Sequence, residues 1–355
     1  MTNMLFLIAF LGLIGLVVLH ELGHFLAAKK FGVRVEEFGI GLPPRLFGKR
    51  IGETLYSLNL LPLGAFVKLT GEEGHSSDLR SFGAKSLFQR AIIVGAGVVA
   101  FWVISFFIFT GLAATTGIPT GISDENGGNV INPHVRVLAI APESPAKTVG
   151  LLPGDTVQDF EKVEEFQSFI NQHKGEEITL NIMRGSQTLS IPVTPRLEPP
   201  AGEGPLGIQL VRTGNIQYPW YEAPLVAFQK TIEVTKEIVR SLLGTLARVF
   251  SGNGLPEGVG VVGPIGIVDL LKNSFAFGIS HFLSFLATLS IYLAIFNALP
   301  IPAVDGGRLL FLGIEALRKK PLGERVEQRV NGFFFLLLIT FMIWVTIKDI
   351  TRLFF

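Results

Sequence analysis

Residues 20–24 read HELGH, two histidines four positions apart with a glutamate directly after the first. On an α-helix, positions i and i+4 stand one above the other on one face, about 5–6 Å apart at Cβ. His20 and His24 can therefore bring two imidazoles to a single cation. Glu21 points to one side of that pair, where it can hold a water on the same cation rather than bind the ion itself, which is the HExxH arrangement. The setting sharpens the question. The motif closes an almost unbroken apolar run that begins at Met4, and an ionised side chain at a bilayer centre costs roughly 2.5–3.5 kcal/mol on the insertion scale. The plainer account is a pair of interfacial histidines reaching from a helix end toward water.

A catalytic zinc usually takes three protein ligands and keeps one position for water. The chain has no cysteine, so thiolate sites and disulfides are excluded and any transition metal rests on His, Asp or Glu. His75, His134, His173 and His281 have no partner at ligand spacing. The better third candidate is Asp305 in NALPIPAVDGG, residues 297–307. Pro300 and Pro302 lack an N–H and disfavour continued helix, and Gly306 and Gly307 permit backbone angles that other residues avoid. A helix broken there lets Asp305 turn toward HELGH. Irregular backbone at that depth is tolerated only where protein or water covers it. An ordinary helix-end turn capped by an aspartate is the competing account.

The elements that must position these residues are membrane helices. Of the 355 residues, 48% are hydrophobic, 30 are Phe and only 17% are charged, a composition that solvates part of the chain in lipid. The net charge of +1 gives no reason to expect nucleic acid as a partner. A spanning helix needs about 20 apolar residues, and four stretches qualify: Met4–Leu19 continuing into HELGHFLAA, Ala91–Thr116, Phe282–Ala303, and Gly332–Ile347, which lengthens if Asn331 and Lys348 sit at the interfaces. The first has no basic n-region and no cleavage site after it, so it reads as a span and not as a cleaved signal peptide. The loop from Lys29 to Arg90 carries ten Lys and Arg, and the link between the last two spans holds Arg308, Arg318, Lys319, Lys320, Arg325 and Arg329. Both basic loops belong on the cytoplasmic side by the positive-inside rule, which sends the termini and the long 117–278 segment outward.

Two soluble portions remain. VRVEEFGIG (33–41) and TLYSLNLLPLGAFVKLTGE (54–72) are β-rich, with turn signals at Pro43, Pro44, Pro62 and Gly64. Residues 130–199 read as an α+β domain with a helical EEFQSFINQ and two strands, EITLNIMRG and QTLSIPVT, closed by the linker PRLEPPAGEGP. From Leu225 to Phe250, apolar residues recur at helical spacing with basic residues between them. This helix either lies on the membrane surface or packs against the folded chain. The expected organisation is residues 1–116 with two spans and the 33–72 β element, 130–199 as the outward domain, 200–278 as linker and amphipathic helix, and 279–355 with the last two spans.

HELGH in the first span and N-x-x-P…DGG in a later one resemble the site-2 protease family of intramembrane zinc metalloproteases. Length, four spans and a single outward domain are similar to its bacterial regulator-of-sigma-E protease branch. The resemblance implies that His20, His24 and Asp305 hold zinc, that Glu21 takes the proton of a water and returns it to the leaving amine, and that Asn297 helps position the substrate backbone or the reaction intermediate. Val304 stands where the family often has Leu. Many relatives carry G-P-x-x-N in the second span; GAGVVAF (95–101) stands here, keeping Gly95 and Gly97 for close helix packing and lacking the polar Asn. SPAKTVGLLPGD (144–155) resembles a PDZ domain. The implied fold class is an α-helical membrane protein with four transmembrane helices, a cytoplasmic-side membrane-associated β element and an α+β PDZ-like domain on the outer side. The implied partners are single-span transmembrane substrates, anti-sigma factors already trimmed outside or remnant signal peptides, together with membrane lipid, in a bacterial inner membrane; a plastid relative is the alternative. Relatives are understood to pair unwound substrate with the membrane-associated β element. The rivals are a metal-binding membrane scaffold or chaperone without turnover, and an HExxH membrane protease with a Glu as third ligand.

Overall fold

The computed structural model describes residues 2–72, 78–125, 130–185, 187–254, 261–320 and 323–354; His75 lies outside them. The chain divides into two units. One comprises Met1–Ile108, Phe228–Lys272 and Phe285–Phe355, the other Phe109–Ala227 and Asn273–Ser284.

The first unit opens with helix α1 (Thr2–Lys30), followed by strands β1 (Val35–Ile51) and β2 (Thr54–Leu69) and helix α2 (Leu87–Ala114). After the second unit come α5 (Ala223–Phe250), α6 (Pro264–Ala276), α7 (Ile279–Ala298), α8 (Asp305–Arg318) and α9 (Glu324–Phe354). Four of these helices are long and apolar enough to cross a membrane: Met4–Lys30, Leu87–Ala114, Ile279–Ala298 and Arg325–Thr351. They keep large apolar side chains exposed, among them Leu7 and Leu11 on α1, Phe107 on α2, Phe296 on α7 and Phe333 and Leu337 on α9, the pattern expected of surfaces that lipid covers.

The third span ends earlier than the hydropathy suggests. It stops at Ala298 rather than running to Ala303, because Pro300 offers no N–H and crowds the residue before it. The fourth is longer than its apolar stretch, since α9 carries polar turns at both ends. The two accounts of residues 225–250 divide along the helix. Val234 and Ile238 are buried and Thr235 Oγ1 accepts from Trp102 Nε1 at 3.1 Å, whereas Leu243, Leu246, Val249 and Phe250 are exposed.

β1 and β2 fold on each other as a meander. Phe38 is flanked by Val67 on one side and Tyr56 on the other, and Tyr56 in turn meets Lys49. Ala65–Leu69 is thereby an edge, with no second strand beside it among the described residues. Beyond it the chain is closed off, as Thr70 O accepts from Phe82 N. A small core of Ala28, Val33, Val35, Leu69 and Ile93 fixes this sheet to the ends of α1 and α2.

The second unit is built on a six-stranded sheet in the order β3-β8-β4-β5-β6-β7. Its strands are β3 (Ile118–Ile122), β4 (Val130–Ile140), β5 (Thr156–Val157), β6 (Ile178–Arg184), β7 (Gln187–Val193) and β8 (Ile208–Ile216), with helices α3 (Pro145–Thr148) and α4 (Val163–Gln172). The sheet thus draws on strands on both sides of the 130–199 stretch that the sequence marks out, and β8 occupies part of what reads as linker. Phe166 and Ile170 of α4 pack on Val135, Leu180, Ile182 and Leu206. SPAKTVGLLPGD is held by two local devices. Ser144 Oγ caps α3 by accepting from Lys147 N at 3.2 Å. Buried Asp155 receives Leu152 N at 2.8 Å and a two-pronged Arg184, each prong at 2.7 Å.

Candidate metal centre

α1 presents His20 and His24 on one face, as their spacing requires, and the loop after α7 brings Asp305 to them. His20 Nε2 and His24 Nε2 stand 3.3 Å apart, and Asp305 Oδ2 lies 3.3 Å from the first and 3.4 Å from the second. Donors about 2.0–2.1 Å from a tetrahedral ion are about 3.3–3.4 Å from one another, so the triangle has the edges that zinc needs. Among the described residues this is the one group of His, Asp and Glu whose atoms converge in this way.

Hydrogen bonding agrees with the distances. His24 Nδ1 donates to Ile93 O at 2.9 Å. A neutral imidazole that spends its proton there turns a lone pair outward at Nε2, toward the other two donors, and this outer bond also fixes the ring's orientation. Asp305 Oδ2 is buried and receives no hydrogen bond, an expensive condition for a carboxylate unless a cation completes it. His20 lies flat on Phe101, with ring centroids 4.5 Å apart. The donor set, its spacing and its orphaned oxygen fit zinc.

Glycine provides the room. A Cβ on Gly97 of α2 would sit 2.1 Å from His24 Nε2 and 2.7 Å from His20 Cε1, while one on Gly95 would meet nothing within 4 Å. Only the former is required, and what it clears is space for the imidazoles. Gly306 and Gly307 also act differently from the expectation. Both lie in the first turn of α8, and a Cβ would come within 2.0 Å of Leu299 O and 2.3 Å of Ile301 O respectively. Their smallness lets α8 seat on its own preceding loop. The unusual backbone angle falls instead on Ala303, at φ 79°, whose N–H donates to Asn331 Oδ1 at 3.2 Å.

Glu21 is half-buried beside the pair, and the Val67 backbone amide faces its carboxylate. Asn297 is half-buried near the end of α7, with its amide nitrogen donating to Leu293 O at 2.9 Å; one N–H remains for another acceptor. Sequence reasoning missed the polar frame around α8. Arg308, one turn past Asp305, pairs with Glu72, and Arg90 of α2 pairs with Glu315 at 2.6 Å. Only the i+3 spacing of Arg308 from Asp305 was there to signal it.

Residues 8–341 match the model of peptidase family M50. A putative zinc metalloprotease of Clostridium perfringens is 36% identical over 98% of each chain, and one of Nostoc sp. is 32% identical over 95% of this chain and 93% of its own. Zinc metalloprotease RasP of Oceanobacillus iheyensis is 28% identical over 98% of this chain and 99% of its own.

Proposed function

We propose a specific role for this chain, which belongs to peptidase family M50 and is a zinc metalloprotease and integral membrane protein: it cuts single-span membrane proteins within or near the bilayer. Substrates of this kind are anti-sigma factors already trimmed outside, or remnant signal peptides, in a bacterial inner membrane. The observation that carries the reading is the convergence of His20, His24 and Asp305 beside Glu21 on a helix apolar enough to span.

His20, His24 and Asp305 would hold the ion through Nε2, Nε2 and Oδ2. Zinc, when bound, supplies Lewis acidity that makes a water acidic enough to lose a proton near neutral pH. Glu21 takes that proton and delivers it to the leaving amide nitrogen. The spare N–H of Asn297 is a donor for the substrate oxygen that gains charge. A transmembrane helix conceals its carbonyls in its own hydrogen bonds, so the substrate must unwind locally. The edge at Ala65–Leu69, beside which no second strand stands among the described residues, supports capture of the unwound segment by strand addition, the Val67 N–H being turned to Glu21 and the Leu69 N–H to Glu72. Val67→Pro removes an edge N–H and should reduce cleavage at least about tenfold with zinc retained; unchanged cleavage would remove strand capture from the mechanism.

The active site faces the cytoplasmic side and the six-stranded unit lies outside, an orientation supported by the basic loops. That unit acts as a PDZ-like filter on substrates. A cleft of about 320 Å³ between α4 and the start of β8, walled by Phe166, Ile170, Leu206 and Ile208, supports its holding a peptide. A metal-binding scaffold without turnover would have no use for the Glu21 carboxylate.

Glu21→Gln decides the central reading. Tagged one-span substrates in membranes should be cut about 10²–10⁴-fold more slowly than by wild type, with zinc content unchanged. Equal turnover would overturn it.

A further inference from the structure

The edge strand that faces Glu21 and the helix that begins with Asp305 share one carboxylate. Glu72 lies three residues beyond the end of β2. Its Oε2 accepts from Leu69 N at 3.2 Å, and its Oε1 takes the Arg308 guanidinium. The Glu72 side chain is only 14% exposed. Arg308 stands at i+3 from Asp305, on the same face of α8, and the acidic groups around it are Glu72, Asp305 and Glu327. Two hydrogen bonds in series thus run from the strand edge, through Glu72, to the first turn of the helix bearing the third ligand. Neither Glu72 nor Arg308 belongs to the ligand triangle.

We propose that Glu72 and Arg308 are positioning residues that fix the edge strand relative to Asp305, and so select which peptide bond of a strand-paired substrate reaches the metal centre. The inference rests on strand capture as proposed above. A substrate paired with Ala65–Lys68, short of the Leu69 N–H that Glu72 holds, takes its register from the strand, whereas the reacting bond is chosen by where that strand lies with respect to the three ligands. Extended chain advances about 3.3 Å per residue. A displacement of about 1.7 Å is therefore enough to bring two neighbouring bonds equally close. The Leu69–Glu72–Arg308 connection opposes sliding of that size, since Leu69 is the last residue of the strand and Arg308 is one turn from the ligand.

The experiment uses full-length zinc-loaded protein and a one-span substrate, with the cut positions read by mass spectrometry of the products at low conversion. Glu72→Gln and Arg308→Gln keep similar bulk and remove the charge. Both should retain zinc, and the share of product cut at neighbouring bonds should rise at least about fivefold over wild type; Arg308→Lys, which keeps a cation without the planar fork, should restore part of the selectivity. A wild-type distribution of cuts in both glutamine variants, at whatever rate, overturns the proposal, as does complete inactivity of folded, zinc-loaded variants, which would assign the pair a part in the chemistry. If neither glutamine variant folds, Arg308→Lys decides by the same distribution. Failure of strand capture is separate, because it appears as undiminished cleavage by Val67→Pro.

Discussion

Two aspartates, one buried and one half-buried, use their shielded oxygens in opposite ways. Asp155, in the six-stranded unit, has both oxygens occupied: Leu152 N–H and the two-pronged Arg184 leave it nothing to offer a ligand. Asp305 leaves Oδ2 without a hydrogen bond, turned toward two imidazole nitrogens. A saturated carboxylate contributes to a fold, because its desolvation is repaid by local donors. An unsaturated one costs free energy until an ion arrives. Residue type does not separate the two; the count of donors at each oxygen does.

The contrast breaks most sharply on alanine. Asp305→Ala should lower zinc affinity by more than the roughly 10–100-fold typical of an outer-shell change and abolish turnover, while metal-stripped protein melts no lower than wild type because an uncompensated carboxylate has gone. Retained zinc, measured by metal analysis, would instead point to a different third ligand. Asp155→Ala should do the reverse, destabilising its unit by about 1–3 kcal/mol by taking the acceptor from Leu152 N and from the partly exposed Arg184 guanidinium, with zinc content intact. Unfolding followed separately from metal content checks both.

A smaller effect sharpens the picture at the ligands. Gly97→Ala places a methyl against His24 Nε2 and should weaken zinc at least about tenfold, a change of the size seen when ligand orientation is disturbed. Gly95→Ala, open on all sides, should leave zinc binding as it is. Equal affinities in the two variants would mean that the imidazoles can move aside.

The smallest effect lies in the six-stranded unit. Burial first, and the neighbouring Arg136 second, push the His134 imidazole below its ordinary value of 6.5. The folded protein then binds fewer protons than the unfolded one below that value, so His134 contributes stability at neutral pH that is lost as pH falls from 6.5 toward the folded pKa. NMR titration should give a midpoint below 6.5, moved upward in Arg136→Gln. A midpoint at or above 6.5 would show that the ring is better solvated than its surroundings imply.

The centre was legible in the sequence for a simple reason. The i, i+4 spacing of His20 and His24 is local, and the prolines that interrupt NALPIPAVDGG announce a break whatever surrounds them. What escaped was non-local or a matter of detail. Nothing near Glu72 in the chain points to Arg308, and β3 and β8 join the sheet through partners far away in sequence. The glycines after Asp305 advertise unusual angles, yet the unusual angle belongs to Ala303, which Asn331 of a later helix helps to hold. Glycine in a sequence marks a constraint without saying whether the constraint is on torsion or on space.

The three donors are far apart along the polypeptide, two at residues 20 and 24 and one at residue 305. On the ribosome, the histidines and the glutamate are therefore complete long before the carboxylate exists. A cation met by the nascent chain would find two of its three grips, so tight loading waits for α8 to be made and seated. Hydrolytic power is thereby deferred until residue 305 has been made and α8 seated against α1.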